Sequence, residues 1–189
     1  MSMANRWAEA EYEAIFRGHY ERIVRMVRSV LRSDVEAEEV CAEVFLRLYR
    51  SGPAVLDGGM VGGWIYRAAT RSAIDILRRN KRRGAEEETD SAHGAVTENH
   101  SDDPLNRLLR GERIAEVRSV LARLKVEKAQ MLLLRHSGLS YREIAEAMQI
   151  NANSVGTMLA RAEAEFSALY QRQQWQSKSA ARLETAKEG

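Results

Sequence analysis

One cysteine, two prolines and twelve aromatic residues are all that this 189-residue chain holds of the side chains that most often staple, break or anchor a fold. Cys41 has no partner for an internal disulfide, and no Cys/His cluster has zinc-ligand spacing, so a reducing compartment and no structural metal are expected. No apolar run approaches the roughly 20 residues needed to span a bilayer. The stretch from Met1 to Glu9 lacks the apolar core of a signal peptide, which predicts a soluble, unexported, cytoplasmic protein with no membrane partner. The four histidines, His19, His93, His100 and His136, occur without an HExxH motif or a cysteine partner, and no glycine-rich phosphate loop is present. No catalytic residue, cofactor or metal site is therefore expected, and an enzyme is the least favoured class. The length also excludes a large catalytic barrel or a doubly wound enzyme.

What remains is helical material. Charged residues make up 30% and apolar residues 44% of the chain, with Ala, Leu, Glu and Arg abundant, a balance that favours helices over sheets. The net charge of +2 hides an uneven distribution. Residues 1–83 hold 15 Lys/Arg against 11 Asp/Glu, 84–104 hold none against 7, 105–170 hold 10 against 7, and 171–189 hold 4 against 2. Two basic modules flank an acidic stretch with almost no large apolar side chain, which cannot bury enough surface to offset its ordering entropy. It reads as a flexible linker. Basic modules on an acidic tether point to a polyanion partner, or else to ordinary solvated surface.

Apolar residues at three-and-four spacing set the helices. Tyr12, Ile15, Phe16, Tyr20, Ile23, Val24, Val27 and Leu31 form a first stripe, covering one helix or a broken pair. Ser33-Asp34 offers an N-cap for a second, in which Ala37, Val40, Cys41, Val44, Phe45 and Leu48 are the inner face and Glu36, Glu39 and Glu43 the outer. Cys41 on that inner stripe is expected to be a buried thiol. Residues 51–63, with five glycines and a proline, read as a mobile loop. Trp64, Ile65, Ala68, Ala69, Ile74 and Leu77 follow on a helix that ends in Arg78-Arg79-Asn80-Lys81-Arg82-Arg83.

Beyond the linker, Leu105, Leu108, Leu109, Ile114, Val117, Val120, Leu121 and Leu124 suggest a helix, and Gln130 to Leu134 a short buried one. Ser140-Tyr141-Arg142-Glu143 has the form of a capping box, so a helix should begin there. Ile144 and Met148 would face inward, Ile150 would sit in a turn, Asn151 would cap a further helix, and Val155 and Leu159 would point that helix inward. This is the spacing of a helix-turn-helix, whose second helix enters a major groove, although an ordinary helical hairpin shares it.

The wording at these positions goes further. Gly138-Leu139-Ser140-Tyr141-Arg142-Glu143-Ile144-Ala145-Glu146 resembles the DNA-binding C-terminal region of extracytoplasmic-function sigma factors, the compact group within the sigma-70 family of bacterial RNA polymerase. Ala37-Glu38-Glu39-Val40 with Glu43 to Tyr49 resembles that family's polymerase-binding helix. Trp64-Ile65-Tyr66-Arg67 with Ala73 to Arg79 resembles its promoter-melting helix. Together the matches cover roughly residues 10–83 and 105–170.

The resemblance implies an all-α, two-domain, non-enzymatic polymerase subunit. Region 2 would occupy 1–83, the acidic linker 84–104, the region 4 helix-turn-helix 105–170 and a tail 171–189. It would bind core RNA polymerase and promoter DNA at the minus-ten and minus-thirty-five elements, and it would be monomeric when free.

The resemblance also assigns roles. Glu38, Glu39 and Glu43 would pair with basic residues of the polymerase clamp helices, unless they are simply a solvated face. Trp64 would serve as a base platform or as a core anchor, with Arg67 and Arg71 beside single-stranded DNA. The segment from Ser51 to Gly63 would capture a flipped base, and Arg78, Arg79, Lys81, Arg82 and Arg83 would contact upstream phosphates. In the recognition helix Asn153, Ser154, Thr157 and Arg161 would meet the duplex.

The chain departs from the family pattern at Arg71, where relatives often have Asn, at Ala42 for Gln, and at Lys125 for Pro. Gly156 and Met158 stand where cations are common, and Gly156 should mark a close approach to DNA or to the preceding helix. An anti-sigma factor wedged between the domains is the partner that the resemblance implies; self-masking by the linker or the tail is the alternative. A helix-turn-helix regulator binding an operator without polymerase is the competing function, but it uses only residues 138–166.

Overall fold

Among the described residues the apolar stripes become seven α-helices in two units that share one core. The computed structural model describes residues 6–31, 33–56, 60–86 and 104–185, and among them there is no strand. In the N-terminal unit α1 (Glu9–Leu31) is one unbroken helix that buries Ile23, Val24, Met26, Val27, Val30 and Leu31. α2 (Asp34–Ser51) starts where the Glu36 N–H donates to the Ser33 hydroxyl at 3.2 Å, which satisfies one orphan donor of the first turn. It stops at Gly52, whose φ of 68° suits glycine and whose N–H donates back to the Leu48 carbonyl. Between these ends Ala37, Val40, Cys41, Val44, Phe45 and Leu48 are buried. Burial pushes the Cys41 thiol up to about 12, with Glu38 adding to the effect, so the sulfur stays protonated and poorly nucleophilic.

A short 3₁₀ turn, Pro53–Leu56, leads into α3 (Val61–Glu86), which buries Ile65, Tyr66, Ala68, Ala69, Ala73, Ile74 and Leu77. Aromatic rings seal the other side of this unit. Phe16 lies edge-on to Phe45 with centroids 4.9 Å apart and stacks on Tyr20 at 4.6 Å. Trp7, ahead of α1, is buried, and its indole N–H donates to the Leu48 carbonyl at 2.8 Å. The chain before the first helix therefore pins the end of the second.

Two glycines that read as loop are helical. α3 begins at Val61, so Gly62 and Gly63 lie in its first turn. A Cβ at Gly62 would stand 3.1 Å from the His19 imidazole, and one at Gly63 would stand 3.3 Å from the Ala147 backbone. Glycine costs a helix about 1 kcal/mol against alanine. Here the neighbouring helices come close enough that a Cβ would crowd them, most firmly at Gly63, where the neighbour is backbone. Residues 57–59 of the same segment lie outside the described residues.

The C-terminal unit comprises α4 (Pro104–Leu121), α5 (Val126–His136), α6 (Tyr141–Met148) and α7 (Ala152–Thr185). α3 continues to Glu86, so of the acidic stretch residues 87–103, with His93 and His100, lie outside the described residues, as do the side chains of Leu105 and Leu108. The segment after Tyr170, set apart in the sequence as a tail, continues α7 as far as Thr185. It is tied to α4, since the Tyr170 hydroxyl and the Gln174 amide donate to the Glu116 carboxylate at 3.1 and 2.6 Å.

α3 joins the two units. It packs on α1 and α2 on one side and on α4, α5 and α6 on the other, and the buried apolar residues of both units form one cluster. Trp7→Phe should cost about 1–3 kcal/mol in a urea titration, because it removes the bond to the Leu48 carbonyl and leaves part of the indole site empty. A loss above about 3 kcal/mol would mean that the N-terminal segment detaches altogether.

Candidate nucleic-acid interface

Two ends of helices give the C-terminal unit its turn geometry. At the end of α5 the Gly138 N–H donates to Arg135 and the Leu139 N–H to Leu134, with Gly138 at φ 85°. This 5→2 and 6→1 pair is a Schellman motif, and it needs a left-handed residue. α6 then opens on Ser140. The Ser140 N–H and hydroxyl donate to the Glu143 carboxylate at 2.8 and 2.7 Å, and the Glu143 N–H donates to the Ser140 oxygen at 3.3 Å, completing the capping box. Those bonds from Ser140 hold the Glu143 carboxyl below its ordinary value of 4.5.

A second Schellman pair ends α6, with Gln149 at φ 56° donating to Glu146 and Ile150 donating to Ala145. The Asn151 side chain then accepts from the Asn153 N–H at 2.9 Å and starts α7. The left-handed residue turns the chain sharply. Ile144, Ala145 and Ala147 of α6 and Val155, Leu159 and Ala162 of α7 are buried, so the two helices share one inner face.

Asn153, Ser154, Thr157 and Arg161 are all exposed on the opposite side of α7, at the spacing of one helical stripe. A Cβ at Gly156 would meet the Tyr141 ring at 3.5 Å, an ordinary contact with the start of α6. A four-residue outer stripe of one amide, two hydroxyls and one guanidinium on a helix held by a capped neighbour has the form of a groove-reading element.

α3 carries the second set. Arg71, Arg79, Lys81, Arg82 and Arg83 are exposed, while Arg67 and Arg78 are half-buried. Trp64 is half-buried, packs against the core, and has the Arg47 guanidinium 5.0 Å from its ring centroid. It is thus a partial core anchor with one face capped by a cation. Nothing in the local sequence pattern singles out Arg47 within the Glu43 to Tyr49 segment. Its position within the apolar-patterned α2 gave no sign that it would lie over a ring of α3. Two of the α3 cations bond to the C-terminal unit: Arg78 donates to the Leu124 carbonyl at 2.6 Å, and Lys81 to the Ser119 carbonyl and hydroxyl at 3.1 and 3.2 Å. Burial and the neighbouring Arg123 hold the Lys81 ammonium below its usual range.

On α2 the side chains of Glu38, Glu39 and Glu43 are exposed, with Glu38 within 3.6 Å of Arg28. Among the described residues no three His, Cys, Asp or Glu side chains are placed to hold a metal, and no helix is long and apolar enough to cross a membrane.

Known proteins share both halves of this arrangement. The Sigma-70 region 2 family matches residues 15–83, and the Sigma-70, region 4 family matches residues 114–166. The ECF RNA polymerase sigma factor SigM of Mycobacterium tuberculosis is 23% identical over 159 residues, which cover 84% of this chain and 76% of that protein. Among solved structures, CnrH in complex with the cytosolic domain of CnrY aligns with a TM-score of 0.54 at 17% identity, over 87% of this chain and 90% of that one. The sigma factor RpoE, in complex with the anti-sigma factor NepR from Bartonella quintana, gives 0.51 at 12% identity, over 85% and 96%. At these identities the two structures show a shared fold.

Ser140→Ala should lower stability by about 1 kcal/mol at neutral pH through loss of the cap. Because the folded Glu143 carboxyl lies below its ordinary value, its contribution is fully present above pH 4.5 and is lost as the pH falls through the folded value. Urea titrations at several pH values should therefore show wild type and Ser140→Ala converging in acid. A gap that widened in acid would contradict this assignment.

Proposed function

Because the chain belongs to the extracytoplasmic-function group of sigma-70 factors and directs promoter-specific transcription initiation, we propose how that work is divided among its helices. The observation that carries the reading is the pairing, in one chain and in this order, of a region 2 match ending in the basic run of α3 with a region 4 match that contains the capped helix-turn-helix. An operator-binding regulator would use the second half alone and leave the first without a task.

α7 reads the minus-thirty-five duplex. Asn153, Ser154, Thr157 and Arg161 project from its outer face, and the buried α6–α7 packing fixes their angle. α3 serves the minus-ten element. Arg67 and Arg71 hold unpaired DNA, Trp64 offers a base the ring face that Arg47 does not cover, and the segment from Ser51 to Gly63 receives a flipped base. Arg78, Arg79, Lys81, Arg82 and Arg83 neutralise phosphates upstream, adding affinity without sequence information. The glutamates of α2 face away from both DNA elements in role and dock on basic residues of core polymerase; Glu38, Glu39 and Glu43 are exposed as that requires.

The chain performs no catalysis of its own and acts in the cytoplasm as a monomer until polymerase recruits it. An anti-sigma factor is its natural restraint, as the two solved complexes, in which a sigma factor is held by a second protein, suggest.

Abortive initiation with core polymerase on a promoter library tests the reading. Transcripts should arise from a defined promoter subset only when the protein is added; no added transcripts on any template would refute it. Arg161→Ala should weaken duplex binding, either by about 1–3 kcal/mol in favour of one base pair if it reads a base edge, or evenly with a salt slope lower by about 0.9 if it meets a phosphate. Arg71→Ala should instead reduce permanganate-reactive thymines at the minus-ten element and leave closed-complex binding nearly unchanged. The reverse pattern would overturn this division.

A further inference from the structure

Two adjoining cavities belong to neither DNA contact. The first, of about 320 Å³, lies between α4, α5 and α7 and reaches Ser29 and Val30 of α1. Leu121, Leu132, Leu133 and Phe166 form its walls, with Ile114 and Val117, two large aliphatic side chains that stand exposed. The second, also of about 320 Å³, is lined by Arg22, Arg25 and Met26 of α1, Tyr66 of α3, and His136 and Ser137 at the end of α5. Ser29 and His136 line both, so the two form one cleft with an apolar end and a cationic end.

The charge at the cationic end is uncompensated. Arg22, Arg25 and Ser29 recur at i, i+3 and i+7, which places them on one face of α1. Both guanidiniums are exposed, and neither has an ion-pair partner among the described residues, whereas Arg28, one turn on, meets Asp34 at 2.7 Å. Like charges one turn apart repel, so this face gains from a counter-ion. Of the carboxylates nearby, Glu143 is engaged by the Ser140 N–H and hydroxyl, and Glu163 is exposed on the α7 side of the apolar end. Burial holds the Tyr66 hydroxyl above its ordinary value of 10.0, so it stays protonated and able to donate.

The other end calls for the opposite chemistry. Arg118 on its wall donates to the Val30 carbonyl and is thereby held at α1. The remaining lining is mostly aliphatic and aromatic carbon, which offers water few partners. Small-molecule sites commonly have about 300–1,000 Å³, an apolar lining and a few charged groups that fix orientation. Val30, Leu121, Leu133 and Phe166 belong to the core that both units share, so the walls are in place before a ligand arrives. Such pre-organisation lowers the cost of binding.

We propose that this cleft binds one molecule of an amphiphilic anion, an unbranched aliphatic chain ending in a carboxylate or a phosphate. The chain lies against Val117, Leu133 and Phe166, and the head group is held by Arg22 and Arg25, whose forked donors match the oxygens of either group. His136 stands where the two ends meet. The site goes beyond the promoter reading and does not depend on it.

The test is isothermal titration calorimetry of the full chain with decanoate, monodecyl phosphate and 1-decanol, each below the concentration at which it aggregates. Both anions should bind one to one, and 1-decanol about fivefold or more weakly, because it lacks the charge that the two arginines pair. Decanoate should bind about fifteenfold more tightly than octanoate, at about fourfold for each of the two added methylenes. The double variant Arg22→Gln, Arg25→Gln should bring decanoate to the level of 1-decanol and leave 1-decanol within about twofold of wild type. Val117→Trp, which fills the apolar end, should weaken all three probes about tenfold or more. Ile114→Gln, at an exposed position, should weaken decanoate about fivefold and decides the matter if circular dichroism shows that Val117→Trp has unfolded. Equal affinity for decanoate and 1-decanol, no gain with chain length, or wild-type binding in the folded variants overturns the site. Uptake of many molecules per chain would be detergent-like association and overturns it as well. Failure of the sigma-factor reading would appear separately, as an absence of transcripts with core polymerase, and leaves the calorimetry unaffected.

Discussion

Close approach between α3 and the C-terminal helices is the constraint on which the rest of the structure depends. α3 has two working sides. One, through Ile65, Ala69, Ala73 and Ile74, completes the N-terminal core, and the other meets α5 and α6 across Gly63 and Thr70. A small residue is needed where the approach is closest, at Gly63, because a Cβ there would stand 3.3 Å from the Ala147 backbone. Most cations of this helix gather toward its C-terminal end, where Arg79, Arg82 and Arg83 are exposed while Arg78 and Lys81 bond to the C-terminal unit.

The C-terminal unit solves a different problem, the accurate aiming of one short stripe. Its precision comes from chain-reversal chemistry rather than from a large core. Gly138, Ser140, Gln149 and Asn151 each satisfy orphan backbone groups at a helix end, and together they set where α6 and α7 begin. With those ends fixed, burial of Val155, Leu159 and Ala162 decides which side of α7 faces solvent, and Asn153, Ser154, Thr157 and Arg161 follow. The polar continuation of α7 past Tyr170 is braced by Glu116, so the long helix is held at its middle as well as at its start.

Local signals made much of this legible in advance. The Ser33 cap, the glycine stop after Ser51, the buried stripe through Cys41 and the Ser140–Glu143 box all appear in the structure, because each depends on residues within one or two turns of one another. Contacts between distant segments were not legible. Gly62 and Gly63 look like loop residues until His19 and Ala147 arrive beside them, Trp7 is a lone aromatic until it meets Leu48, and Gln130 interrupts an apolar run without revealing that Thr70 and the Arg67 carbonyl lie opposite. For the candidate site, capping and periodicity give the start of α7 and its inner face at Val155 and Leu159, and the residues of its outer stripe come from the family resemblance, whereas the cover of Arg47 over Trp64 and the engagement of Arg78 and Lys81 depend on packing that no local pattern encodes.

The central claim is that one chain presents two separate DNA contacts to one promoter, a duplex contact from α7 and a melting contact from α3. Hydroxyl-radical footprinting of the complete complex with core polymerase on a cognate promoter tests it most directly. The account predicts that removing Arg161 erases an upstream patch of protection centred near minus thirty-five and leaves a distinct downstream patch, about 25 base pairs away, in place. A single continuous footprint that disappears as a whole with Arg161→Ala would contradict it.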